Sequence, residues 1–197
     1  ETMKFFVDTA DIKQIEDLIP TGFVDGVTTN PSLLSKQNLD MKETIKNICS
    51  LVEGPVSAEV TAIDHETMLK EGEYLASIAK NVAVKVPLTV DGLRTCKKLR
   101  EKNIMVNVTL CFSATQALLA AKADASFISP FVGRLDDIGE KGMDLIEDIV
   151  IIYENYGFDT EVLVASVRTK QHVTDAALIG AHVATVPPQI IHELYKH

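Results

Sequence analysis

The sequence predicts an α/β protein built as a single (β/α)8 TIM barrel of parallel strands. Three observations carry that expectation. Short β-rich runs and helical patterns alternate along all 197 residues, eight times over, with no low-complexity linker to mark a domain boundary, so one domain over 1–197 is expected. Strands separated by single helices pair in parallel, because each crossover returns the chain to the same end of the sheet. The first strand is followed by "VDTADI" and not by a glycine-rich phosphate turn, which disfavours the alternative, a doubly wound open sheet.

The elements can be justified in order. A strand at 4–8 precedes a helix in which Ile12, Ile15, Leu18 and Ile19 recur at helical spacing and form one buried stripe. Strands follow at 26–29 and 55–60, the latter leading to Asp64, placed where a helix N-cap belongs. The strand at 82–86 runs into Thr89, a second N-cap. The strand at 105–109 is followed by Ser113 with Gln116 three residues on, a capping box ahead of "ALLAAKA". Strands at 126–129 and 161–165 come next, then Thr169 as an N-cap. Gly180 closes that helix just before the eighth strand at 182–186.

Composition narrows the partners. With 46% hydrophobic residues the chain can bury a sizeable core, and a formal charge of −9 repels nucleic acid and anionic membrane surfaces. A phosphorylated ligand therefore requires a local basic pocket. Cys49, Cys96 and Cys111 match no redox or metal pair and read as reduced core thiols of a cytoplasmic protein. The histidines form no metal-binding pattern, and neither a membrane-spanning run nor a signal peptide is apparent. Glu1 and Thr2 precede Met3 and read as an addition ahead of the natural start.

Strand parity shows where function lies. In "PVSAEV", Val56, Ala58 and Val60 share one face while Ser57 and Glu59 share the other; in "MVNVTL", Val106 and Val108 oppose Asn107 and Thr109. Lys85 in "NVAVKVPLT" follows the same rule. The outer face of a barrel meets helices and must be apolar, so the polar set points inward. These residues fall late in their strands, together with Asp8, Thr28, Asn30 and Ser129, at the end where barrel enzymes build sites. Any one of them has a plainer explanation as a turn or cap residue, or as a lysine that snorkels from the barrel mouth. Five or more on different strands are harder to dismiss, because burying each unpaired would cost roughly 1–3 kcal/mol.

A lysine in a dry pocket loses hydration, which favours the neutral, nucleophilic amine. Attack on a ketone gives a carbinolamine and then an iminium, an electron sink that lets a neighbouring carbon–carbon bond break. Asp8 and Glu59 are the carboxylates placed to move the protons. A glycosidase pair made of the same carboxylates would leave Lys85 idle. A phosphate-binding barrel without turnover would not need a lysine and two acids converging.

The segments "FVDTAD" (5–10), "DGVTTNPSLL" (25–34), "AVKVPLT" (83–89), "NVTLCFSATQALLAAKA" (107–123), "SPFVGRLDDIG" (129–139) and "LVASVRT" (163–169) resemble the transaldolase family, in the short branch that also contains fructose-6-phosphate aldolase. The resemblance runs through nearly the whole chain. It implies a class I, Schiff-base enzyme that needs no cofactor or metal, acts on sugar phosphates, and assembles as a homo-oligomer, a pentamer or decamer. By the same resemblance Lys85 is the Schiff-base lysine, Asp8 the acid/base at the breaking bond, and Glu59 with Thr109 the pair that activates a water. Asn30, Thr28, Asn107 and Ser129 correspond to contacts with the dihydroxyacetone portion. Arg134, Ser166 and Arg168 correspond to a phosphate clamp; the plainer reading of the arginines is surface pairing with Asp136 or Asp137. Glu59 and Phe131 are the residues expected of a transaldolase, where the aldolase would carry Gln and Tyr. The implied reaction moves dihydroxyacetone from sedoheptulose 7-phosphate to glyceraldehyde 3-phosphate in the pentose phosphate pathway. The alternatives are an aldolase releasing free dihydroxyacetone and a phosphosugar-binding barrel. The sequence ends at "HELYKH", where relatives are expected to continue into a further helix that contacts a neighbouring subunit. "NVT" at 107–109 also reads as a glycosylation acceptor, but its place in a buried strand makes that a coincidence.

Overall fold

The computed structural model describes residues 2–197; Glu1, part of the proposed N-terminal addition, lies outside them. Eight strands close into an all-parallel barrel in chain order: β1 (Lys4–Asp8), β2 (Val24–Thr28), β3 (Val56–Glu59), β4 (Val82–Pro87), β5 (Met105–Cys111), β6 (Phe127–Pro130), β7 (Glu161–Val164) and β8 (Val183–Val186). The expected α/β barrel is what forms. Its boundaries differ from the sequence reading by one or two residues, chiefly where β2 starts at Val24 and β5 runs on to Cys111.

Between and after the strands lie α1 (Ile12–Leu18), α2 (Pro31–Leu34), α3 (Met41–Leu51), α4 (His65–Ile78), α5 (Val90–Glu101), α6 (Ala114–Lys122), α7 (Val132–Asp137), α8 (Gly142–Tyr156), α9 (Lys170–Ile179) and α10 (Pro188–Leu194). Two of these, α2 and α7, are short helices additional to one per strand. The caps fall where their chemistry places them: the Asp64, Thr89 and Thr169 side chains accept from the backbone N–H of Thr67, Gly92 and His172. Ser113 caps Gln116, whose side chain reaches back to the Phe112 N–H, so the box closes one residue earlier than the usual pattern. Gly180 ends α9 at φ 94°, a left-handed conformation that costs glycine nothing.

The outward faces of the strands pack on the helices in one large core: Val7, Val27, Val56, Ala58, Val84, Val86, Val106, Val108 and Ile128 are fully buried with Ile15, Ile45, Ile48, Met68 and Leu99. Cys49, Cys96 and Cys111 are free, buried thiols, and desolvation raises them to about 11, about 12 and about 12. They are poor nucleophiles and act as small core residues. Inside the barrel Phe6, Ala83, Phe127, Leu163 and Val183 form a separate apolar floor. Phe6 and Phe127 meet edge to face, 5.8 Å between centroids. Gly26 makes room for this floor, since a Cβ there would lie 2.7 Å from the Phe6 ring. No helix among the described residues is long and apolar enough to cross a membrane.

Candidate active site

Two residues beyond the floor, the same strands turn polar. Phe6 gives way to Asp8, Ala83 to Lys85, Phe127 to Ser129 and Val183 to Thr185, each pair sharing one face of its strand. A cavity of about 210 Å³ opens here, at the C-terminal end of the barrel, and its walls include Asp8, Thr28, Asn30, Lys85, Asn107, Ser129, Phe131, Arg134, Ser166 and Arg168. Ten of the twelve residues singled out from sequence are therefore neighbours, although they span 160 positions from Asp8 to Arg168.

Lys85 is 8% exposed. Its Nζ lies 3.4 Å from Glu59 Oε1 and donates to the Thr29 carbonyl at 3.4 Å. Pairing of β3 with β4 sets Glu59 directly beside Lys85, and pairing of β4 with β5 sets Asn107 on its other side. Glu59 itself is partly exposed and faces a separate groove outside the cavity, lined by Pro31, Leu34, Gln37, Thr61 and Glu71 among others.

Asp8 accepts from the Thr28 hydroxyl at 2.8 Å, and Thr28 is in turn hydrogen-bonded to Thr185. Burial pushes the Asp8 carboxyl above the ordinary carboxylate range, against the opposing pull of the Lys85 ammonium and the Thr28 hydrogen bond. On the far wall Ser129 donates to Asn107 Oδ1 at 2.7 Å, and Asn107 Nδ2 donates to Ser57 at 3.2 Å, a belt that fixes the Asn107 amide orientation. Asn30 Oδ1 caps α2 by accepting from Leu33 N–H at 2.8 Å, so the turn-and-cap reading of that residue holds alongside its place in the cavity wall.

Thr109 is 1% exposed, and its hydroxyl has no protein partner among the described residues. It does not line the cavity as such. Just beyond it, Leu110 adopts φ 62° and the β5–β6 register shifts between Val108 and Cys111, a bulge of the kind found beside sites.

At the mouth, Arg134 Cζ stands 5.2 Å from the centroid of Phe131, which also packs edge to face on Phe112. Arg168 Nη1 donates to both carboxylate oxygens of Asp137 at 2.7 Å. The surface pairing weighed for the arginines thus holds for Arg168 with Asp137, while Arg134 rests on an aromatic face. Ser166 sits at φ 58°, a left-handed conformation uncommon for serine and often found at functional positions. Sequence reasoning missed two wall residues, Ala165 and Thr185. The parity rule applied to β8 would have found Thr185; Ala165 carries no chemical signal.

The sequence profile of the Transaldolase/Fructose-6-phosphate aldolase family matches residues 5–197. The chain belongs to that family. Relatives named probable transaldolase include that of Sphingopyxis alaskensis, 65% identical over 195 residues, and that of Novosphingobium aromaticivorans, 64% identical over 195; each alignment covers 99% of this chain and 90% of the relative. A third, from a Chelativorans species, is 60% identical over 195 residues with the same coverage. In a (β/α)8 barrel the C-terminal mouth, and not the grooves elsewhere on the molecule, is the place to look for chemistry.

Proposed function

We propose that this protein is a transaldolase of the Schiff-base type, moving a dihydroxyacetone unit from sedoheptulose 7-phosphate to glyceraldehyde 3-phosphate. The observation that carries the reading is a buried lysine amine between two carboxylates, at the bottom of a cavity whose mouth holds two arginines.

Glu59, 3.4 Å away, is placed to accept the proton that Lys85 must lose before its nitrogen attacks the ketose carbonyl. Loss of water from the carbinolamine then gives the iminium. Thr109 offers an otherwise orphaned buried hydroxyl that would be satisfied by a water shared with Glu59, which makes that pair the proton relay for dehydration and for the later hydrolysis. Asp8 takes the proton of the hydroxyl carried by the distal carbon of the bond that breaks. Its electrons form the aldehyde carbonyl, and those of the carbon–carbon bond pass to the iminium and leave an enamine on Lys85. A carboxyl raised by burial is a stronger base than an ordinary aspartate and suits this step. Thr28 keeps it aimed.

Asn107 and Ser129 present a fixed amide and hydroxyl to the dihydroxyacetone hydroxyls, with Asn30 and Thr28 on the opposite wall. Arg134, Ser166 and Arg168 receive the phosphate, the two guanidiniums supplying local positive charge in a chain whose net charge is −9. Phe131 has no hydroxyl with which to protonate the enamine carbon, so the intermediate waits for an aldehyde acceptor; Glu59 in place of glutamine points the same way. Transfer is thereby favoured over release of free dihydroxyacetone. Incubation with fructose 6-phosphate, with and without erythrose 4-phosphate, tests this. Product that depends on the acceptor is expected; free dihydroxyacetone as the main product would make the protein an aldolase. A cytoplasmic homo-oligomer of five or ten copies is proposed from the same family likeness, and light scattering checks the copy number.

A further inference from the structure

We propose that His172 and Asp136, which line no part of the cavity, are positioning residues that hold the Arg168 segment in place for phosphate recognition. This rests on the reading that Arg134 and Arg168 receive the phosphate.

His172 sits in the first turn of α9 and is 7% exposed. Its Nδ1 accepts from the backbone N–H of Arg168 at 3.0 Å, which leaves the ring proton on Nε2, and Nε2 donates to Asp136 Oδ2 at 2.7 Å. The other Asp136 oxygen accepts from the N–H of Gly142, the first residue of α8, at 2.9 Å. One imidazole and one carboxylate therefore tie α7, α8 and α9 to the backbone of a residue in the cavity wall. Partial burial opposes ionisation of Asp136, but hydrogen bonds from Gly142 and His172 and the charge of Arg168 hold it below the usual carboxylate range, ready to accept from the ring.

The same short helix α7 supports the rest of Arg168. At Gly133 a Cβ would stand 2.7 Å from Arg168 Cγ and 2.9 Å from Nε, so the arginine stem crosses the helix where only glycine leaves room. One turn on, Asp137 takes Nη1. Backbone, stem and head are thus each fixed by a different residue, and α7 also carries Arg134. A guanidinium held this way loses less rotamer freedom when an anion arrives. His172 controls the backbone end of that arrangement.

His172→Phe keeps the ring volume and removes both hydrogen bonds; His172→Asn keeps an acceptor where Nδ1 stood. Each is assayed with fructose 6-phosphate and with fructose as donor, using unphosphorylated glyceraldehyde as acceptor. For His172→Phe we expect KM for fructose 6-phosphate to rise about fivefold, the equivalent of about one net hydrogen bond, with kcat within about twofold and kcat/KM for fructose unchanged. His172→Asn should retain most of the affinity. Equal losses with both donors, or no change in KM, would overturn the inference. Arg134→Ala in parallel separates the two layers of reasoning: if it does not discriminate between the donors, the phosphate assignment itself falls, and if it does while His172→Phe does not, only the positioning role falls. Should His172→Phe lose its thermal transition, His172→Asn and Asp136→Asn decide, a selective rise in KM for fructose 6-phosphate with Asp136→Asn supporting the role and its absence refuting it.

Discussion

The floor of the barrel and the layer directly above it are built on the same strands, two residues apart, and have opposite characters. Below stand Phe6, Ala83, Phe127, Leu163 and Val183; above them stand Asp8, Lys85, Ser129, Ala165 and Thr185. The lower set needs no partner and contributes burial. The upper set is buried too, Asp8 only partly, and each polar group must be matched: Asp8 by Thr28, Lys85 by Glu59 and Thr29, Ser129 by Asn107. Where matching is incomplete, at Thr109 and at the raised Asp8, the chain holds groups that favour chemistry over stability. The comparison predicts that substitutions above will cost activity and substitutions below will cost stability.

The largest effect on activity is expected at Lys85. Lys85→Ala should lower kcat by on the order of 10⁴-fold or more, measured in the coupled transfer assay, because no other lysine lines the cavity. Asp8→Asn should lower kcat by roughly 10²–10⁴-fold while raising stability at neutral pH. The sign follows from the raised carboxyl: the folded state holds that proton more tightly than the unfolded chain, so its stabilisation is full below the ordinary value of 3.8 and is lost as pH rises through the raised value. Thermal midpoints should therefore show Asp8→Asn above the parent at pH 7, with the gap closing in acid. A variant less stable at pH 7 would contradict the balance of burial and pairing described here.

On the floor, Phe6→Ala should cost about 3–5 kcal/mol in denaturant unfolding through the cavity it leaves, with kcat per folded molecule changed far less than by Asp8→Asn. A large loss of kcat in the folded fraction would blur the division between the layers. The smallest effect is expected at the rim. Ser166→Gly relieves a left-handed serine and should leave stability equal or up to about 1 kcal/mol higher, while raising KM for phosphorylated donors by removing the hydroxyl.

Much of this division could be read in the sequence because strands have a period of two. Alternation put Ser57, Glu59, Lys85, Asn107 and Thr109 on the inner face; strand pairing sets Glu59 beside Lys85 and Lys85 beside Asn107, while Glu59 and Thr109 lie outside the cavity wall. Thr185 escaped because threonine in "VATV" is an ordinary strand former, and its bond to Thr28 bridges 157 positions. The sequence does offer Asp137 as a partner for the arginines, and Arg168 meets it across 31 residues; the Asp136–His172 contact, across 36, was invisible, because it forms only when α7 meets the first turn of α9. Helices α2 and α7, four and six residues long, are too short to show an apolar period. Nothing local marks Ser166 for a positive φ.

The most direct measurement is reductive trapping. Fructose 6-phosphate is added with borohydride, the protein is digested, and the peptides are weighed by mass spectrometry. The expected result is one modified peptide, carrying the reduced dihydroxyacetone or hexose adduct on Lys85. An unmodified peptide around residue 85, or an adduct confined to another lysine, would contradict the chemistry proposed for this barrel.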